Sequence, residues 1–251
     1  LPVIIGGVRT ATVLVVGNEV LTGKRADQNG PYAIRALRER GIRLEALLTL
    51  PDRLELLADA VARERARVDW LFTDDGVGPT HDDVTLPAVA RALGRPLVRH
   101  PRLVENIRRW HARHGGEPPE AALRMADVPE GTALAGDPRF PVPSVENVVM
   151  LPGPPEFFRV QLDAFVEGLA SPPFRLASIF LSLGEDHFAA ALDQVARAHP
   201  DVDIGSYPRF DEADHRVEVT FEAKDPARVA AALEAFLATL PAGAVVRRAG
   251  P

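Results

Sequence analysis

Residues 71–86 read LFTDDGVGPTHDDVTL, and the fold follows from this stretch. Its apolar start predicts the end of a buried strand, while Leu86, Val89 and Leu93 recur at helical spacing. A glycine-containing turn joins the two. The order is therefore strand, turn, helix, which is the repeating unit of an open α/β sheet. In such sheets ligands bind beyond the carboxyl ends of the strands.

The same turn combines glycines with acids. Gly76 and Gly78 allow a backbone to come close to a bulky anion, and the helix that follows offers free N–H groups to phosphate. Because phosphate alone does not explain several acids, a divalent cation bound by carboxylates would supply the missing positive charge. Neighbours at a helix start point about 100° apart, so we expect only one of Asp82 and Asp83 to face the ligand. The acids of this turn are Asp74, Asp75, Asp82 and Asp83.

The composition narrows the class of protein. The chain has 251 residues, of which 46% are hydrophobic, so it can form a sizeable core. It contains no cysteine, which excludes disulfides and thiolate catalysis and fits a cytoplasmic protein. The formal net charge of −6 argues against a nucleic-acid surface. We expect no signal peptide at the start and no membrane contact, because no apolar segment approaches about 20 residues.

The first part of the chain alternates predicted strands and helices. Strands are predicted at Ala11–Val16, Leu44–Leu50 and Trp70–Thr73, the first and third of them buried, and each precedes a stretch of helical periodicity. Asn29 is expected to cap the first long helix. The order β-α-β-α-β-α implies right-handed crossovers and a parallel sheet covered by helices on both faces.

The second part changes pattern. Residues 131–143 are rich in Gly and Pro and predict a loop, and Val145–Leu151 predicts one strand. Ser171–Pro173 is the expected linker. Beyond it the predicted order is β-α-β-β-α-β, which is the ferredoxin-like order. We therefore predict two domains, a parallel-sheet α/β domain over residues 1–170 and a small α+β domain over residues 174–251.

Polar residues also follow the other predicted strands. Asn18 and Glu19 come after the first strand, where they either face the same cleft as the central turn or only form a turn. Asp52 follows the second strand, either as a helix N-cap or as a site residue. Gly153, in the run Pro152–Pro155, belongs to a rigid turn or presents its backbone to a ligand.

Four motifs in this order resemble a known family. They are GNEVLTGKRADQN at 17–29, LPD at 50–52, TDDGVGPTHDDVT at 73–85 and LPGPP at 151–155. Together they resemble the molybdopterin-binding-like domain over about residues 10–170. That domain occurs in the competence/damage-inducible protein A family, in molybdenum cofactor proteins and in eukaryotic FAD synthases. The tail, with IGSYP at 204–208, is similar to the small domain that follows in the FAD-synthase-like branch.

The resemblance implies a three-layer parallel-sheet fold and an anionic ligand. Competence-type relatives resemble metal-dependent pyrophosphatases that act on ADP-ribose, and FAD-synthase relatives cleave FAD. We therefore expect metal-dependent hydrolysis of a nucleotide pyrophosphate of the FAD or ADP-ribose type, with Mg²⁺, Mn²⁺ or Co²⁺. The alternative is a protein that binds molybdopterin or a related pterin without hydrolysis, as the molybdenum cofactor members do.

The resemblance also implies roles for individual residues. Asp52 and Asp83 match the acidic pair of the active site, where Asp52 would orient or deprotonate water. The metal would be held by Asp83, with Asp75 or Glu19. The residues expected to hold the phosphates or the rest of the ligand are Asn18, Glu19, Gly76, Gly78, Thr80 and Gly153.

Two positions depart from the family pattern. Asn18 replaces the usual Asp, and Asp75 replaces the first of two adjacent glycines. A carboxylate at that place repels a phosphate unless a metal lies between them. Altered metal use, an altered substrate and a degenerate regulatory relative with a closed pocket all remain open. We also expect a homodimer that pairs through exposed strand edges of the tail.

Overall fold

A computed structural model of the chain describes residues 8–169, 171–212 and 214–250. The chain divides into two compact units, residues 1–171 and 172–251. Residues 1–7, where we expected no signal peptide, lie outside the described residues. The predicted domain ends at residues 170 and 251 also lie outside them. Within the described ranges, no helix has both the length and the apolar character needed to cross a bilayer.

The larger unit is built around a six-stranded sheet. The strands of this unit, two of which lie outside that sheet, are β1 (Thr10–Val16), β2 (Arg43–Leu50), β3 (Trp70–Asp74), β4 (Leu97–Arg99), β5 (Asp127–Pro129), β6 (Ala133–Ala135), β7 (Val142–Val145) and β8 (Val148–Leu151). Its helices are α1 (Asn18–Leu21), α2 (Asn29–Glu39), α3 (Leu54–Arg65), α4 (Thr85–Ala92), α5 (Pro101–His114), α6 (Glu120–Leu123) and α7 (Pro155–Glu167). The sheet order is β2-β1-β3-β8-β7-β6, and β4 pairs separately with β5.

Two hydrophobic cores lie on opposite faces of this sheet. Val13 and Val15 of β1 pack in one core with side chains of α2 and α7, whereas Leu14 and Val16 enter the other with side chains of α3 and α4. Since alternate residues of a strand point to opposite faces, a strand that is covered on both faces requires a continuous apolar run, which residues 11–16 provide. The layers are helix, sheet and helix, and the predicted three-layer fold is confirmed.

Strand directions bring several connections to one edge of the sheet. The neighbouring pairs β1–β2, β1–β3 and β3–β8 are parallel, so their carboxyl ends meet at the same edge. β7 runs antiparallel to β8, so the chain enters β7 at that same edge. The segments after β1, β2, β3 and β8, together with residues 136–141 before β7, therefore surround one end of the parallel strands.

Two local predictions in the middle of the chain are wrong. Residues 131–143 are not only loop, because they contain β6 and the first residues of β7. The single strand predicted over Val145–Leu151 is a hairpin that turns at Glu146, which has φ of 52°. Asn147 secures this turn by donating to the carbonyls of Arg65 and Val68 at 2.8 and 3.1 Å. These partners lie about 80 residues away, so the local pattern carried no sign of the turn.

The smaller unit has the ferredoxin-like order that the sequence predicts. Its elements are β9 (Arg175–Leu181), α8 (Ala189–Ala198), β10 (Asp203–Pro208), β11 (Val217–Ala223), α9 (Pro226–Leu237) and β12 (Val245–Ala249). They form an antiparallel sheet in the order β10-β11-β9-β12. Alternate residues of β11 are buried, and Val217, Val219 and Phe221 pack in one core with Phe236 of α9.

Phe158 and Phe157 offer a matched test of the larger core. Phe158 is fully buried, whereas its neighbour Phe157 is 47% exposed. We expect Phe158→Ala to lower the free energy of unfolding by about 3–5 kcal/mol, because it leaves a cavity. Phe157→Ala should cost about 1 kcal/mol or less. Urea unfolding followed by tryptophan fluorescence reports on this unit alone, since Trp70 and Trp110 both belong to it. Equal losses in the two variants would contradict this packing.

Candidate functional site

The predicted site residues meet at the carboxyl edge of the parallel strands. They arrive on four separate connections: Asn18 and Glu19 follow β1, Asp52 follows β2, residues 75–83 follow β3, and Gly153 follows β8. This is the edge at which open α/β sheets bind their ligands.

Asp52 joins the first two connections. Its Oδ2 accepts a hydrogen bond from the backbone N–H of Asn18 at 2.8 Å. The N-cap interpretation of Asp52 is wrong, because α3 begins at Leu54, and its N-cap residue is Arg53. The side chain of Asp52 therefore reaches back across the edge of the sheet instead of capping its own helix.

Asp83 organises the glycine turn. Its Oδ1 accepts from the N–H of Gly78 at 2.8 Å, and its Oδ2 accepts from the N–H and the hydroxyl of Thr80 at 2.7 and 2.5 Å. α4 begins only at Thr85, so Asp82 and Asp83 precede the helix instead of lying on it. Asp83 is half-buried and bonded to the turn, whereas Asp82 is exposed; which of them faces a ligand stays a prediction.

Asp75 lies in the left-handed region, with φ of 76°. Its Oδ1 accepts from the N–H of Gly76 at 2.8 Å, and its own N–H donates to the carbonyl of Leu151 at 3.1 Å. The carboxyl group rests against Gly153, where a Cβ atom would collide with it. Gly153 therefore makes room for the acid that replaces a glycine in the family pattern.

Three N–H groups of the turn are thus already bonded to the protein's own acids. We expected Gly76, Gly78 and Thr80 to offer these groups to phosphate. In the structure the same donors are hydrogen-bonded to Asp75 and Asp83. A phosphate takes them only when the two carboxylates turn away.

Negative charge accumulates at this edge. Burial raises the pKa of Asp75, and the charges of Asp83, Glu19 and Asp52 raise it further. The neighbouring charges that act most on Asp75 are therefore all negative, and they belong to three different connections. A carboxylate has about four acceptor positions, and Asp83 uses three of them, so it retains one. Carboxylate oxygens are the ligands that hard divalent cations prefer. Among the described residues, however, the acidic and histidine side chains whose ligand atoms lie within 4.8 Å of one another in a group of three are Glu212, Asp214 and His215 of the smaller unit, so the acids of this edge are not preassembled around a cation.

Asn29, which the sequence reasoning did not assign to the site, connects two of its parts. Asn29 is buried, and its Nδ2 donates to Asp74 Oδ1 at 2.8 Å and to the carbonyl of Gly153 at 2.7 Å. The prediction that Asn29 caps α2 is wrong, because Asp27 Oδ1 accepts from the N–H groups of Asn29 and Gly30 instead. The sequence offered one indication of this role, because Asn29 is the last residue of the motif at 17–29.

Asp74 is the most perturbed acid of the site. It is only 3% exposed, and burial raises its pKa to about 8, to which the charges of Asp75, Asp27 and Glu19 contribute. The hydrogen bond from Asn29 opposes this shift without cancelling it. At neutral pH Asp74 is therefore mainly protonated and can donate a hydrogen bond.

Two protein-family models match the chain, one for each unit. The family model described as "Probable molybdopterin binding domain" matches residues 12–172. The chain belongs to this family. A second model, described as "FAD synthase, middle domain", matches residues 173–249.

Individual relatives extend over most of the chain. A protein of Archaeoglobus fulgidus is 29% identical over 226 residues, which cover 89% of this chain and 95% of the relative. A putative competence-damage inducible protein of Symbiobacterium thermophilum is 28% identical over 88% of this chain, which spans only 56% of that relative. Among solved structures, the protein CinA with unknown function from Thermoplasma acidophilum matches in fold with a TM-score of 0.58 and 24% identity, covering 64% of this chain and 98% of that one.

The raised pKa of Asp74 predicts how stability depends on pH in the presence of a chelator. The folded protein keeps this proton up to about pH 8, whereas an unfolded Asp loses it near pH 3.9. The contribution of Asp74 to stability is therefore complete below about pH 4 and is lost as the pH rises through 8, at up to about 1.4 kcal/mol per pH unit. Asp74→Asn keeps an oxygen for Asn29 and removes this loss, so the variant should gain stability relative to wild type between about pH 4.5 and 8.

Urea unfolding of both proteins at several pH values measures this difference. Asp59→Asn, at an exposed position on α3, is the control and should show a constant difference from wild type. A constant difference for Asp74→Asn as well would contradict a proton held on Asp74.

The contact between Asp75 and Gly153 predicts energetic coupling. Asp75→Gly should raise stability by about 1 kcal/mol, because it relieves a left-handed residue. Gly153→Ala alone should be destabilising, because the new Cβ collides with the Asp75 carboxyl group. In the Asp75→Gly background that cost should shrink by about 1 kcal/mol or more in a double-mutant cycle. Gly168→Ala meets no such collision, and its effect on stability should simply add to that of Asp75→Gly. If the effects of Gly153→Ala and Asp75→Gly are also additive, the predicted coupling is wrong.

Proposed function

We propose that the larger unit hydrolyses the pyrophosphate bond of a dinucleotide of the FAD or ADP-ribose class, with the help of a divalent cation such as Mg²⁺, Mn²⁺ or Co²⁺. One observation carries the proposal: the charges of Glu19, Asp52 and Asp83, which lie on three connections, all act on Asp75 at the ligand-binding edge of the sheet. A structural role alone does not account for so much like charge in one place.

Asp83, Asp75 and Glu19 are the residues that would hold the cation. When bound, the cation would offset the charge of the pyrophosphate oxygens and lower the pKa of a bound water. Asp52 has one oxygen engaged by the N–H of Asn18, so its side chain is oriented by the backbone that follows β1. Its other oxygen would accept a proton from the attacking water or orient it.

The glycine turn would hold the phosphate oxygens. Because Asp75 and Asp83 occupy the N–H groups of Gly76, Gly78 and Thr80, substrate binding requires both side chains to rotate away. Anion binding and carboxylate rotation would therefore occur together. Asp74, neutral and held by Asn29, would remain in place and add no further negative charge near the phosphates.

The comparisons support this substrate class. A FAD synthase domain model matches the smaller unit, and the family of the larger unit is named for a phosphorylated pterin ligand. Both ligands combine a planar ring system with phosphate. We propose a small nucleotide or pterin as the partner, while the homodimer stays a prediction.

A second candidate function is pterin binding without hydrolysis. It is favoured by the family model of the larger unit, which is described by molybdopterin binding and not by hydrolysis. It predicts saturable pterin binding and no product from any dinucleotide.

AMP release decides between the two candidates. We expect the chain to release AMP from FAD or ADP-ribose with Mg²⁺, Mn²⁺ or Co²⁺. Asp52→Asn and Asp83→Asn should each lower kcat/KM by about 100-fold or more, because each removes a charge that positions water or cation. Asp59→Asn should leave kcat/KM unchanged. No AMP from any dinucleotide with any of the three metals would refute the hydrolase and, together with saturable pterin binding, would establish the second candidate.

A further inference from the structure

Two exposed phenylalanines form a pair that the proposed hydrolysis does not use. Phe140 is 53% exposed and Phe157 is 47% exposed. Their ring centroids lie 6.2 Å apart at an interplanar angle of 56°. Val160, one turn further along α7, is also exposed and extends the same apolar surface. Neighbouring large apolar groups left in water indicate a contact site more often than scattered single residues do.

This pair lies at the edge of the sheet that carries the acids. Phe157 is in the first turn of α7, where its N–H donates to the carbonyl of Pro154 at 3.0 Å. Pro154 directly follows Gly153, which contacts the carboxyl group of Asp75. Phe140 belongs to the connection before β7, which enters the sheet at the same edge because β7 is antiparallel to β8. The contact between the two rings agrees with that topology.

A buried glutamine holds the two aromatic residues together. Gln161 of α7 accepts from the N–H of Asp137 through Oε1 at 2.9 Å and donates through Nε2 to the carbonyl of Phe140 at 2.6 Å. A Cβ atom at Gly136 would collide with its amide oxygen, so that glycine leaves room for the glutamine. The backbone of Phe140 is thus fixed to the helix that carries Phe157. Because this backbone is fixed, less conformational freedom is lost when the two side chains close on a rigid partner.

We propose that Phe140 and Phe157 form the subsite for the planar heteroaromatic ring of a ligand whose phosphates occupy the acidic edge. This inference rests on the proposed function and specifies how the same site selects its ligand. A flat ring can stack on the open face of one phenylalanine and meet the edge of the other, since their planes are strongly inclined. The acids at this edge offer no apolar face on which a ring can stack, and the phenylalanines supply that contact.

Binding of probes with and without a ring tests the subsite separately from the cleavage of a dinucleotide. FMN and AMP each carry one ring system and one phosphate, and neither contains a pyrophosphate bond. Inorganic pyrophosphate carries the anion without a ring. Titration calorimetry with Mg²⁺ present would measure all three affinities for wild type and for Phe140→Ala and Phe157→Ala. We expect Kd for FMN or AMP to rise about tenfold in each variant, and Kd for pyrophosphate to stay unchanged.

Two further variants sharpen this comparison. Phe157→Leu keeps an apolar side chain but loses the aromatic face, so its Kd for FMN or AMP should lie between those of wild type and Phe157→Ala. Leu97→Ala removes a side chain that is 42% exposed on β4, beyond the far end of α4, and should leave all three affinities unchanged. Unfolding curves of each variant confirm that it is folded.

The outcomes separate this proposal from the hydrolase. Loss of FMN or AMP affinity in the phenylalanine variants supports the subsite even if no dinucleotide releases AMP. The proposal is overturned if neither FMN nor AMP binds wild type saturably at millimolar concentration, or if both variants bind them like wild type. A second copy of the chain is the competing occupant. If sedimentation velocity shows that Phe140→Ala or Phe157→Ala dissociates a dimer while ring affinity is unchanged, the pair is an interface and the subsite is wrong.

Discussion

Repulsion between carboxylates at the carboxyl edge of a parallel sheet is the constraint on which this site depends. Parallel strands deliver their following connections to one place, and here three of these connections carry acids. The charges of Asp83, Glu19 and Asp52 all oppose ionisation of Asp75. The protein tolerates this because backbone N–H groups solvate several of the acids and because the most buried one, Asp74, is mainly protonated at neutral pH.

The same contacts that stabilise the free protein define what a ligand has to displace. Asp83 closes the glycine turn through three hydrogen bonds, and Asp75 covers Gly153. An anion competes with these two carboxylates for the same donors, whereas a cation attracts the carboxylates themselves. In the free protein, Asp75 and Asp83 therefore accept the hydrogen bonds that the turn would otherwise donate to a ligand. Binding and local structure are coupled because they use one set of N–H groups.

α7 connects this acidic edge to a surface of opposite chemical character. The helix begins directly after the glycine that Asp75 contacts, carries Phe157 in its first turn, and holds the backbone of Phe140 through Gln161. Asn29 fixes the start of the same segment by bonding to the carbonyl of Gly153. Charged and aromatic groups are thus positioned by shared backbone, and a ligand with phosphates and a planar ring would meet both.

The sequence alone determined the layers, the α/β order, the ferredoxin-like tail and the edge where the acids meet. Hydrophobic periodicity and the order of strands and helices along the chain can be read locally, and alternating strands and helices imply a parallel sheet. It did not determine the hairpin at Glu146, since the partners that hold that turn are distant in sequence. Nor did it determine that Asp52 bonds to Asn18, that Asn29 bridges Asp74 and Gly153, or that the turn's donors are occupied by acids. The side chains of Asn29 and Asp52 could each form a hydrogen bond with a nearby helix terminus or with a residue distant in sequence. Only the tertiary structure decides which of these groups lies within hydrogen-bond distance.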